Sequence, residues 1–130
     1  MMYTAALLFS ALLFGGMVLY SFGFAAFLLT TLPTDVARAS IRRAFPYFYL
    51  FVLVVAGISA PLLWPFDRIS ALLMAFIAVT VIPTRQVLMP AINRATDEGE
   101  VARFKKLHGL SVVIGIAHIV INAYVLSRFI

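Results

Sequence analysis

The feature that most constrains this chain is a long run without a charge. Residues 1 to 34 contain no Asp, Glu, Lys or Arg, and Ala5 to Leu29 is nearly all apolar. As a helix rising ~1.5 Å per residue, such a run crosses a ~30 Å hydrocarbon core. A cleaved signal peptide is the competing reading, because Ala37–Arg38–Ala39 resembles a small-x-small cleavage site. No Lys or Arg precedes the run, however, and it is far longer than a ~7–15-residue signal core. It reads as a first transmembrane helix over about 5–31.

Three more runs follow. "LPTD" (Leu32 to Asp35) ends the first with a proline and offers Thr34 or Asp35 as a cap for the next segment. The chain is uncharged again from Ala44 to Phe66, giving a second span over about 45–64 with Tyr47, Tyr49 and Trp64 at interfacial positions. Pro46 is expected in the first turn of that span, where a missing N–H costs little. After the turn "WPFDR" a third span covers about 69–89, with Pro83 and Pro90 expected to kink its end and Arg85 to snorkel or face the interior. Asp97 and Glu100 fit a capping box, so the last helix is expected to start near Glu98 and to cross the membrane over about 108–127.

Composition supports the same class. Of 130 residues, 64% are hydrophobic and 12% charged, about half the ~25% charge of a soluble domain. The chain reads as a single all-α domain over 1–130, an up-down-up-down four-helix transmembrane bundle with the lipid bilayer as its main partner. Four short helices enclose little volume, so a homo-oligomer or a membrane partner protein is also expected. The absence of cysteine excludes disulfides and thiolate metal sites. A net charge of +5 raises nucleic acid as a partner, but no aromatic–basic platform lies in a polar region, and that class is set aside.

The basic residues report orientation instead. With four spans, Arg38, Arg42, Arg43, Arg85, Arg94, Arg103, Lys105 and Lys106 fall on one side, and Arg68 and Arg128 on the other. The positive-inside rule then puts the basic connections in the cytosol of a bacterial cytoplasmic membrane and both termini outside it.

Candidate site residues are few. In "RFKKLHGLSVVIGIAHIVIN", His108, Ser111, Gly115, His118 and Asn122 recur at 3, 4, 3 and 4 residues. On a helix they share an arc of roughly 80°, a polar stripe that belongs inside the bundle. His108 and His118 are ~15 Å apart along the axis, so one small ion cannot bind both. A haem would need Met17, Met74 or Met89 as its second ligand. Three readings stay open: His118 bonded across helices with His108 at the headgroup boundary, a proton or solute relay, and haem or copper held by His118 or His108. No cofactor is the leading expectation.

In the first span, Gly16, Tyr20, Gly23 and Phe27 share a face, either as a packing groove or with Tyr20 joining the seam of Ser111, His118 and Asn122. Arg43, Tyr47, Thr84 and Arg85 are candidates for a cytosolic mouth that meets an anion. The carboxylates Asp35, Asp67, Asp97, Glu98 and Glu100 all lie in connections or at span ends. Paired acid–base chemistry inside the membrane is therefore not expected, and the chain reads as non-enzymatic.

"GM" at Gly16–Met17, "LP" at Leu32–Pro33, "RAFPYFY" at Arg43 to Tyr49 and "RFKKLHGLS" at Arg103 to Ser111 resemble, in order, the domain-of-unknown-function 4149 or transmembrane protein 205-like family. The family often carries Asn shortly after its "LHG-S" element, where this chain has Gly115. The resemblance implies a four-helix membrane protein. Association of the eukaryotic relative with platinum-drug resistance makes transport, resistance or partner binding the expected roles. A looser similarity to copper-resistance D-like and haem-associated four-helix proteins adds metal handling.

Overall fold

A computed structural model describes all 130 residues and contains only helices and turns. Four helices account for nearly the whole chain: α1 (Met2–Thr31), α2 (Thr34–Leu63), α3 (Arg68–Asp97) and α4 (Val101–Ser127), each long and apolar enough to cross a membrane. The turns between them are short, so sequential helices run antiparallel. Helix α1 packs on α2 and α4, α2 on α3, and α3 on α4, with close backbone approaches few across either diagonal.

The outward surface explains why this bundle needs lipid. Only 22 of 130 residues are buried, and Leu8, Leu19, Phe27, Val54, Leu72, Val79, Val113 and Val120 are among the apolar side chains left exposed on all four helices. A patch-wise explanation does not fit a belt of this extent, whereas a hydrocarbon solvent does. Inside, Leu13 and Met17 of α1 meet Val52, Val55 and Ala56 of α2 and Met74, Ile77 and Val81 of α3. Helix α4 adds Val125 to that cluster; its other buried residues are His118 and Asn122.

Several helix boundaries differ from those expected of the sequence. Helix α2 begins at Thr34, so Pro46 and Pro61 both lie inside it rather than at its start. Pro33, not Thr34 or Asp35, holds the N-cap position, and no side chain caps this end. Hydropathy marks where a helix enters lipid, while the helix itself continues outward as long as water satisfies its backbone. The proposed capping box of α4 is also absent: Asp97 ends α3, and α4 starts at Val101 without a side-chain cap. Arg42 has claimed that carboxylate through paired bonds of 2.6 and 2.9 Å.

The α3–α4 turn is closed by backbone instead. Gly99 has φ +68°, the left-handed conformation that only glycine adopts without strain. Its N–H bonds Thr96 O, and the Glu100 N–H reaches back to Ala95 O, which together form a Schellman motif.

Two helices contain a π-helical turn, at Leu19–Phe24 in α1 and Thr84–Leu88 in α3. The second lies between Pro83 and Pro90, where proline removes two N–H donors, and Met89 N–H bonds Thr84 O five residues back. The prolines thus widen a turn of α3 without breaking it. At the opposite end of the bundle, Asp67 caps α3 by accepting from the N–H groups of Ile69 and Ser70.

Candidate functional site

The inward face of α4 builds the candidate site. His118 and Asn122 stand one turn apart and are both buried, at 5% and 0% exposure. His118 Nε2 lies 2.8 Å from Thr80 Oγ1 on α3. The Thr80 hydroxyl also donates to Phe76 O of its own helix at 2.7 Å. With its one proton so used, Thr80 accepts from Nε2–H, and the network assigns the lone pair of the neutral imidazole to Nδ1.

Asn122 crosses to a different helix, donating from Nδ2 to Ser10 O of α1 at 3.1 Å. Its Oδ1 and the Ser10 hydroxyl are both buried and have no hydrogen-bond partner in the protein. Unsatisfied polar atoms inside a bundle cost ~1–3 kcal/mol each, so two in contact with one residue pair mark this level as unusual. Towards the basic end, buried Thr84 follows Thr80 by one turn and donates to its carbonyl at 3.0 Å. A thread of polar groups therefore runs Thr84–Thr80–His118–Asn122–Ser10, drawing on α1, α3 and α4.

The remaining candidates sort differently. Ser111 lies half-buried on the same face of α4 and donates to His108 O at 2.7 Å. His108 is exposed and stacks on Phe104, with centroids 5.4 Å apart. Tyr20 does not reach the seam. Its ring stacks on Phe48 at 4.7 Å and contacts Phe24 and Phe45, on the face of α1 that Gly16 already presents to Phe51 of α2 one turn earlier.

The four-residue mouth is likewise split. Arg85 crosses from α3 to α2 and donates from Nε to Pro46 O at 3.1 Å, while Tyr47 points outward with 74% of its surface exposed. Arg43 is exposed and forms no ion pair. Neither histidine acquires a set of metal ligands, and no group of three His, Asp or Glu side chains comes together anywhere. Met17 and Met74 are instead packed in the apolar core.

Ser10 and Thr80 are the partners that the periodicity of α4 alone does not show. Ser10 leaves a faint signal, since Ser10, Leu13 and Met17 are spaced as one helix face and all three are buried.

The terminal end of the bundle carries only three charged side chains, Asp67, Arg68 and Arg128. Arg128 binds Asp67 through Nε and through Nη2 at 3.0 Å, and Ser70 donates to the same carboxylate at 2.7 Å. Arg128 first, and Ser70 after it, hold the Asp67 carboxyl well below the usual carboxylate range. Tyr3 completes this closure by donating to Phe129 O at 3.1 Å.

The sequence matches the family described as Domain of unknown function (DUF4149) over residues 8–101. That is most of the chain, including α1, α2 and α3, and the chain belongs to this family. No curated protein and no solved structure matches it.

Proposed function

We propose, with that membership as the premise, that this chain is a non-enzymatic integral membrane protein of the transport class that relays protons along its buried thread. The observation that carries the reading is His118, an ionisable side chain deep in the bundle and bonded to Thr80 of the facing helix. Intramembrane ionisable residues are costly and commonly mark such paths. Imidazole is the one group on the thread able to accept a proton at one nitrogen while releasing one from the other. Asn122 Oδ1 and the Ser10 hydroxyl supply unused hydrogen-bonding capacity beyond it. A side-chain relay needs no open pore, which favours a proton over a bulkier solute.

In this reading the bundle lies in a bacterial cytoplasmic membrane, with the basic connections in the cytosol and both termini outside. Proton flux into liposomes holding the purified protein, driven by an imposed potential and read with an enclosed pH dye, tests it. Flux should exceed that of empty vesicles, vanish in His118→Ala and fall strongly in Thr80→Val. Asn122→Leu should lower flux yet keep the fold, because single interhelical hydrogen bonds in membranes average only ~0.6 kcal/mol. Flux in His118→Ala equal to the unmodified protein would overturn the relay.

A further inference from the structure

Away from the polar thread, α1 and α2 form an outward groove of about 680 Å³, within the ~300–1,000 Å³ range of sites that bury small ligands. Leu12, Gly16, Tyr20, Phe27, Tyr47 and Phe51 line it. Gly16 shapes the floor: a Cβ there would lie 2.6 Å from the Phe51 ring, so only glycine lets that ring settle against α1. From Leu12 to Phe27 the groove runs ~22 Å along α1 at ~1.5 Å per residue. That is enough to follow a chain from the bilayer centre through one ~15 Å leaflet to the interface.

The upper end of this groove is the basic end of the bundle. Arg43 lies one turn above Tyr47 on the same face of α2. All three ion pairs of the molecule use other arginines, namely Arg42, Arg103 and Arg128. Arg43 is therefore an unpaired cation at the last charged position before the uncharged stretch of α2, one turn from Tyr47, which lines the apolar groove. Charge and hydrophobicity are arranged in the order of a phospholipid, headgroup outward and acyl chain inward. We propose that this groove binds one anionic phospholipid, with its phosphate on Arg43 and an acyl chain along Tyr47, Phe51 and the π-turn of α1.

The proposal is independent of the proton relay and can fail or stand without it. The full chain would be reconstituted in phosphatidylcholine vesicles holding a minor fraction of phosphatidylglycerol, re-extracted in mild detergent, and weighed intact by native mass spectrometry. One phosphatidylglycerol should be retained per chain in preference to phosphatidylcholine. Arg43→Gln should lower that retention roughly fivefold, the scale of one surface cation against anionic lipid. Arg94→Gln removes the same charge from α3, which does not line the groove, and should leave retention unchanged. Gly23→Leu narrows the groove and should lower retention of both lipids. Arg43→Gln alters only the headgroup contact, so it reads the site even if Gly23→Leu does not fold. Equal retention of the two lipids, equal effects of the two arginine changes, or crosslinks joining Tyr47 positions of two chains would each overturn the proposal, the last in favour of a second copy.

Discussion

Asp67 ties the start of α3 to the end of α4 with a single carboxylate. It accepts from the Ile69 and Ser70 N–H groups, the Ser70 hydroxyl and the Arg128 guanidinium. Because its folded pKa lies below its ordinary value, the pair adds stability above the unfolded carboxylate pKa of ~3.9. That contribution is lost as pH falls from there through the folded pKa. Thermal unfolding in detergent, compared between the unmodified protein and Asp67→Asn, should show Asn less stable at pH 7. The gap should close as the pH drops below about 4. Parallel curves across that range would show that the pair contributes nothing. In the sequence Asp67 is merely a turn residue in "WPFDR", and its partner Arg128 lies beyond the last span. Chain neighbours cannot reveal a bond between residues 67 and 128, because it depends on how α3 and α4 are placed.

At the scale of elements, the four apolar runs coincide with the four helices, but the start of α2, the end of α3 and the start of α4 lie outside those runs. Helix ends depend on which polar group captures which partner. Asp97 illustrates this, since it fits a capping box by spacing yet pairs with Arg42 on α2. The turn that forms in its place relies on Gly99 at φ +68°. Gly99→Ala should therefore cost about 1–2 kcal/mol, the penalty of a left-handed conformation for an L-residue. Gly57→Ala, in the exposed face of α2 with open space around a new Cβ, should be neutral or slightly stabilising. Chemical or thermal unfolding of both variants checks the contrast, and equal losses would refute the role given to Gly99. The π-turn in α1 had no sequence signal comparable to the prolines that flank the one in α3. Tyr20, at the start of that turn, joins the aromatic cluster with Phe45 and Phe48.

For the whole molecule, the asymmetry of charge predicts a single orientation. The chain has no cysteine, so single introduced cysteines report topology without background. In intact bacterial cells, Ile130→Cys should react with a membrane-impermeant maleimide, and Glu98→Cys should react only after the cells are opened. The reverse pattern would invert the bundle in the membrane. By itself, the sequence determined the class, the number of helices and the polar face of α4. Those properties follow from hydropathy and helical periodicity, which are local. Only the tertiary structure decided that His118 meets Thr80 while Asn122 meets Ser10, and that Arg43 forms no ion pair while Tyr47, one turn along α2, lines an outward groove. Each of these is a contact, or a missing one, between helices that are distant in the chain. Their register depends on side-chain packing and on turns such as those at Leu19–Phe24 and Thr84–Leu88, which no single helix specifies.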